Sequence, residues 1–370
     1  MTPRLLPLAL ALLAGPALAQ DRPAAASASP DARSGWQQCE QLSDDAQARL
    51  ACFDRWVQGQ SPAAWLPPPE PMPPPPDCRS GPQTPMSRYW ELEAGSDCGR
   101  FNIRGYKPIS LAWVHGNRVN VAPGSPTEGR TVTSEQPYMR NEMRLQLSVR
   151  TKIGTGFVST GDPDARDSLW FGYTQQSYWQ LFNKELSRPF RTTDHEPELF
   201  YILPTPADLP GGWRLRYTGL SINHQSNGQT LPLSRSWNRL IFLAGFEKDE
   251  RYMLTGRIWN RMSDGDGDGD INSLDDNPDI EDYIGRAELT GSWQLDADHS
   301  LALTLRHSLR SEAKGSWRLE WLQALGDRMR DANASGLRLH VQLFNGYGDS
   351  LLDYNFRRTT FSVGLSLVDF

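Results

Sequence analysis

The chain has 370 residues, a formal net charge of −6 and 38% hydrophobic residues, with a mean hydropathy of −0.56. Bundles of membrane-spanning helices are far more apolar, and the acidic balance excludes nucleic acid as a partner. A transmembrane β-barrel fits both numbers, because each strand alternates lipid-facing apolar with lumen-facing polar residues.

Residues 1–19 read as a secretory signal. Arg4 starts it, Leu5 to Leu13 form its apolar core, and Ala17-Leu18-Ala19 is the cleavage box before mature Gln20. An anchor helix would need a longer apolar run. No Cys follows the box, so a lipid anchor is not expected. Residues 20–98 form an exported extension ahead of the strand-rich part. Within it, 21–35 are rich in Ala, Ser and Pro, a composition that cannot pay for a packed core. Residues 36–57 read as a small helical hairpin, with Ser43 as the expected N-cap of a helix from Asp44 to Val57. The four cysteines are Cys39, Cys52, Cys78 and Cys98. An even number in an exported chain points to disulfides, and four cysteines allow three pairings. The sequential one, Cys39–Cys52 and Cys78–Cys98, is the expectation; the absence of CxxC spacing argues against zinc. Residues 61–85 form a proline-rich linker suited to extended polyproline II.

Residues 99–370 alternate strand and turn. Twelve candidate strands are legible: 106–118, 144–153, 168–179, 198–204, 213–226, 236–246, 252–261, 283–295, 300–309, 316–325, 336–344 and 355–368. An even number of roughly ten-residue alternating segments predicts an all-β fold, a barrel of about twelve antiparallel transmembrane strands. Leu145/Leu147/Val149 and Leu301/Leu303/Leu305 show the alternation best, and the chain ends on Phe370 as such barrels usually do.

One hairpin carries chemistry. His224 and Ser226 are two residues apart, and in a strand they share a face with Leu220 and Ile222. On the next strand Asn238 shares parity with Leu240 and Phe242. A serine, a histidine and an asparagine thus meet on an apolar face, the parts of a hydrolase: nucleophile, base and a group that orients the base. Their setting suggests a lipid substrate. Without further context these residues are also what a strand end near lipid headgroups would show.

The run His224-Gln225-Ser226-Asn227-Gly228, followed by Ser234-Arg235-Ser236-Trp237-Asn238, resembles the active-site segment of the outer-membrane phospholipase A family. So do Tyr173-Thr174-Gln175, Ser187 to Thr192 with Glu196-Pro197, Asp276-Asn277-Pro278-Asp279-Ile280, and Gly346 to Asn355, all in order. The resemblance implies a calcium-dependent enzyme of the bacterial outer membrane that hydrolyses acyl esters of phospholipids and lysophospholipids. It implies Ser226 as nucleophile, His224 as proton acceptor, Asn238 as orienting group and the Gly228 N–H as oxyanion donor. Calcium would be held by the Ser234 hydroxyl and the Gln229 carbonyl, where the family usually has Arg, with Ser187 contributed by a second subunit. That gives one catalytic calcium per monomer, completed in a homodimer in which Gln175 is a contact. A catalytically silent porin or scaffold barrel is the alternative, and it has no need of this residue set.

Asp264, Asp266, Asp268, Asp270 and Asp275 fit the spacing of a calcium loop, with Gly269 at the turn, and form a candidate second calcium site. Its rival is a plain acidic loop. Asp276, Asp279, Arg235, Arg191, Glu198 and Asp353 are expected to fill a narrow lumen by pairing with one another.

Overall fold

The computed structural model describes residues 35–59, 78, 83–158, 165–262, 274–326 and 336–367. The expected signal, most of the proline-rich linker, Asp264, Asp266, Asp268, Asp270 and Phe370 lie outside the described residues. The chain divides into two units, Met1–Pro74 and Pro75–Phe370.

The first unit holds α1 (Gly35–Glu40) and α2 (Ala46–Gly59), joined by a disulfide between Cys39 and Cys52. Closing a loop of this size contributes about 3 kcal/mol, chiefly by restricting the unfolded chain, to a pair of helices too small to hold a core alone. Helix α2 starts later than expected. Asp45, not Ser43, caps it, its Oδ1 accepting the N–H groups of Gln47 and Ala48, each at 3.0 Å. Ser43 instead donates to Asp44. A carboxylate suits the positive end of a helix better than a hydroxyl does.

The second unit is a closed antiparallel barrel. Its strands are β1 (Ile103–Gly105), β2 (Ile109–Gly116), β3 (Asn141–Thr155), β4 (Ser168–Trp179), β5 (Thr192–Asp208), β6 (Arg214–Ser226), β7 (Ser236–Lys248), β8 (Tyr252–Met262), β9 (Ala287–Gln294), β10 (His299–His307), β11 (Gly315–Ala324), β12 (Leu337–Gly346) and β13 (Arg358–Leu367). Strands β2 to β13 pair in sequence order, β13 returns to β2, and the β3–β4 and β2–β3 ladders complete the circle of twelve. The thirteenth strand, β1, lies on β3 in line with β2. Pro108, which has no N–H to give a ladder, stands in the gap between them.

Several expected strands changed length, among them β2 (expected at 106–118), β3 (144–153) and β13 (355–368). The segment expected at 198–204 runs from Thr192 to Asp208. The one expected at 283–295 begins only at Ala287, because α4 (Ile280–Tyr283) precedes it. Ile280 and Ile284, one helical turn apart, pack on Trp237, Trp259, Leu351 and Tyr354, and that apolar contact favours the helix.

Alternation sorts the faces. On β6, Leu220 and Ile222 are 51% and 54% exposed while Ser221 and Asn223 are 2% and 0% exposed. On β7, Leu240 and Phe242 are outside, and Ile241 and Leu243 are buried. The outward apolar residues, which also include Trp113, Phe171, Trp293, Leu303 and Phe361, form the surface a bilayer would cover.

The lumen is filled in layers. At one mouth sits α3 (Pro85–Trp90), capped by Thr84. Its Met86 and Trp90, with Leu92, pack on Trp170, Phe200, Ile202, Tyr217 and Leu243. Residues 83–98, which the sequence groups with the extension, therefore pack inside the barrel; Cys98 is disulfide-bonded to Cys78. Glu91 there pairs with Arg104 and Lys152. At the other mouth is the cluster around Trp237 and α4. Between them lie the ion pairs of the lumen, buried or half-buried: Arg257 with Glu198, Arg239 and Lys107 with Glu196, and Arg306 with Glu288. Near the second mouth Arg191 joins Glu142 at 3.0 Å and Asp353 at 2.9 Å, while Arg358 reaches Glu142 and Asp349. Asp279 accepts from the Tyr354 hydroxyl.

Removing one partner of such a buried network strands the others. Glu142→Ala should cost about 3–5 kcal/mol, whereas Asp208→Ala, which breaks an exposed pair with Arg214, should cost no more than about 1 kcal/mol. Urea unfolding of the refolded chain in detergent checks the contrast. A pH prediction follows from the loop between β12 and β13. Burial pushes the Asp353 and Asp349 carboxyls up, but Arg191 beside Asp353 and Arg358 beside Asp349 outweigh it and hold both below the usual carboxylate range. With folded values depressed, their stabilisation is fully present above the unfolded value of about 4 and is lost as pH falls toward the folded values. Hydrogen-exchange protection of residues 347–357 should stay constant from pH 7 down to about pH 4 and fall below it; loss already between neutrality and that point would contradict the assignment.

Candidate active site

The β6–β7 ladder places His224 directly opposite Asn238 and Ser226 opposite Ser236. His224 Nδ1 lies 2.8 Å from Asn238 Oδ1. The carbonyl oxygen of Asn238 can only accept, so the imidazole carries its proton on Nδ1 and keeps a lone pair on Nε2. Ser226, two residues on, shares the outward face of His224, and all three side chains are half-buried.

The neighbouring strand opens the sheet here. The β5–β6 register runs His195↔Ser226 and then Glu198↔Asn223, lapsing across Glu196-Pro197. Pro197 cannot donate to the ladder, and its position falls beside His224.

The chain leaves β6 in a turn built by Asn227. Its Oδ1 accepts the Arg235 N–H at 2.9 Å and its Nδ2 donates to the Leu233 carbonyl at 2.7 Å. Gly228 follows with φ of +60°, a left-handed conformation that glycine adopts without cost. Gln229 donates its side-chain amide to the Arg191 carbonyl. Ser234 donates to Asp276 Oδ2 at 2.7 Å, Ser236 donates to the same oxygen at 3.3 Å, and Arg130 holds the other oxygen at 3.0 Å. Asp276, expected in the lumen network, thus sits beside Ser234. One carboxylate among several in an acidic loop gives no local signal of that kind.

The remaining expected residues spread outward from this centre. Ser187 lies in the loop between β4 and β5, where its carbonyl accepts the Trp179 indole N–H at 2.7 Å. Gln175 is on the outward face of β4, donating to Ser177 and accepting from the Tyr173 hydroxyl. Both carboxylate oxygens of Asp275 lie 2.6 Å from Arg261 Nη2. Sequence reasoning missed His195. It stands on the outward face of β5, opposite Ser226 on one side and Gln175 on the other. Only once β5 is seen to begin at Thr192 does its parity become readable.

Comparison with known proteins gives consistent matches. A family model described as Phospholipase A1 matches residues 86–367. The chain is 37% identical over 290 residues, 77% of its length and 70% of the relative's, to a putative phospholipase A1 of Neisseria meningitidis serogroup B. It is 33% identical over 233 residues, 62% of its length and 71% of the relative's, to phospholipase A1 of Escherichia coli K12. Among solved structures, the outer-membrane phospholipase dimer of Salmonella typhi with bound calcium aligns with TM-score 0.60 and 29% identity, covering 74% of this chain and 94% of that one. The E. coli outer-membrane phospholipase A aligns equally well, in one case as an active-site mutant with an asparagine replaced by alanine.

The His224–Asn238 geometry makes a direct spectroscopic prediction. In 15N-histidine spectra at alkaline pH, His224 should be the Nδ1–H tautomer. Asn238→Ala removes the acceptor, and the resonances should shift toward a mixture of tautomers.

Proposed function

Because this chain belongs to the phospholipase A1 family, we propose that it is a calcium-dependent phospholipase of the outer membrane that acts as a homodimer through Ser226, His224 and Asn238. The observation that carries this reading is the 2.8 Å contact of His224 Nδ1 with Asn238 Oδ1, on the outward apolar face that also presents Ser226.

Ser226 Oγ attacks the acyl carbonyl while the free Nε2 of His224 takes its proton, which later goes to the departing lysophospholipid oxygen. Asn238 holds the ring in the tautomer that makes this transfer direct. The Gly228 N–H stabilises the oxygen that becomes negative. An asparagine cannot neutralise the imidazolium as a carboxylate does, so the transition state needs other electrostatic help, at the oxygen that becomes negative.

The donors around the turn suit calcium: a Ser234 hydroxyl, a Gln229 carbonyl and the Asp276 carboxylate are all hard oxygens. A second copy would add the Ser187 carbonyl. When bound, calcium supplies positive charge beside the reacting carbonyl. The Ser234 hydroxyl can join it through its oxygen lone pairs while it still donates to Asp276. Asp264 to Asp275 stays a candidate second calcium loop, in which Asp275 would have to exchange Arg261 for the ion.

A phospholipid reaches an outward-facing site laterally from the bilayer, so its headgroup stays in water and headgroup specificity should be loose. Fatty-acid release from phospholipid–detergent micelles tests the reading. Release should require calcium, vanish with chelator, and fall by at least about 10⁴-fold in Ser226→Ala. Asn238→Ala, which removes one orienting hydrogen bond of about 0.5–1.5 kcal/mol, should lose only about tenfold. Equal release by wild type and Ser226→Ala would sink the proposal.

A further inference from the structure

We propose that His195 contacts the substrate: its Nε2–H donates to the acyl carbonyl oxygen beside Gly228, and Tyr173 and Gln175 set the tautomer that makes this possible. The inference rests on Ser226 as nucleophile and adds a donor that the Ser–His–Asn set does not contain.

Three observations converge on His195. First, β5 runs between β4 and β6, and His195 is the register partner of Ser226. Second, its ring is held. Nδ1 lies 2.7 Å from the Tyr173 hydroxyl, and the two rings stack with centroids 6.2 Å apart and planes 30° from parallel. Third, the opposite edge of the ring faces the turn: a Cβ built on Gly228 would stand 3.8 Å from Cδ2 and 3.9 Å from Nε2. Gly228 therefore leaves room for a small group between its backbone and this imidazole edge.

Among the described residues Nε2 has no hydrogen-bond partner. A polar group on a wall that faces hydrocarbon is costly unless something satisfies it. A bound ester carbonyl at Gly228 is an acceptor of the right kind, and the charge it develops on attack would strengthen the bond.

The tautomer decides whether Nε2 can donate. Tyr173 has one hydroxyl proton and two acceptors in reach, His195 Nδ1 at 2.7 Å and Gln175 Oε1 at 3.3 Å. Given to Nδ1, it leaves the ring proton on Nε2, aimed at the turn. Given to Gln175, it requires Nδ1–H on the ring and leaves Nε2 bare. A Gln175 amide engaged by a second copy would no longer compete, so dimer formation would favour the donating form. Tyr173 is thus a positioning residue, acting through His195.

The test uses the full refolded chain with calcium in phospholipid–detergent micelles. His195→Ala should lower kcat by about 10²-fold, with KM within threefold and calcium-dependent cross-linking of the dimer intact. His195→Gln, which restores an N–H near the position of Nε2, should recover at least tenfold over alanine. Tyr173→Phe should fall between wild type and His195→Ala. The proposal is overturned if His195→Ala keeps kcat within threefold of wild type, if His195→Gln is no better than alanine, or if the loss follows loss of the dimer. Failure of the underlying reading shows separately, as wild type no more active than Ser226→Ala.

Discussion

A sheet immersed in hydrocarbon cannot leave an edge, because an unpaired N–H or C=O there has no water to turn to. Every other feature depends on that constraint. It forces β2 to β13 into a circle that closes where β13 meets β2, and closure fixes register. A slip of one residue would turn Leu220 and Ile222 inward and Asn223 outward. The same register places His224 opposite Asn238. Closure and the site geometry therefore share one cause.

The circle encloses many charged side chains, and they pair with one another. Arg191, Glu142, Asp353 and Arg358 form one knot, Glu196, Arg239 and Lys107 another, and apolar clusters close the two mouths. Such networks add little net stability over apolar packing. They do make the wall stiff, because no member can leave without stranding a charge. A stiff wall is a useful support for a site on its outer surface, where positions must hold within a fraction of an ångström.

On the outward-pointing face, one run of polar groups is contiguous. Ser177, Gln175 and Tyr173 on β4, Thr193 and His195 on β5, Ser226 and His224 on β6, and Asn238 on β7 form one track across four strands. Apolar residues such as Phe171, Leu199, Leu220 and Leu240 continue these strands on the same face. The cost of placing polar groups on a lipid-facing wall argues that the track is used as a unit. It runs from the glutamine assigned to the dimer contact to the serine assigned to the chemistry.

The sequence by itself determined the strands, because alternation with a period of two is a local property that each segment carries alone. It likewise determined that His224, Ser226 and Asn238 share faces with Leu220 and Phe242, since parity needs no partner. Tertiary structure alone decided the rest. That α3 with Trp90 fills the barrel mouth follows from Trp170, Phe200 and Tyr217 converging from three separate strands. That Asp276 stands beside Ser234 depends on a loop folding back over more than forty residues of chain. His195 gained its meaning only when β5 proved to extend past Pro197, a residue whose missing N–H argues locally against a strand. Contacts between distant segments leave no periodicity to read; they exist only once closure has brought the strands together.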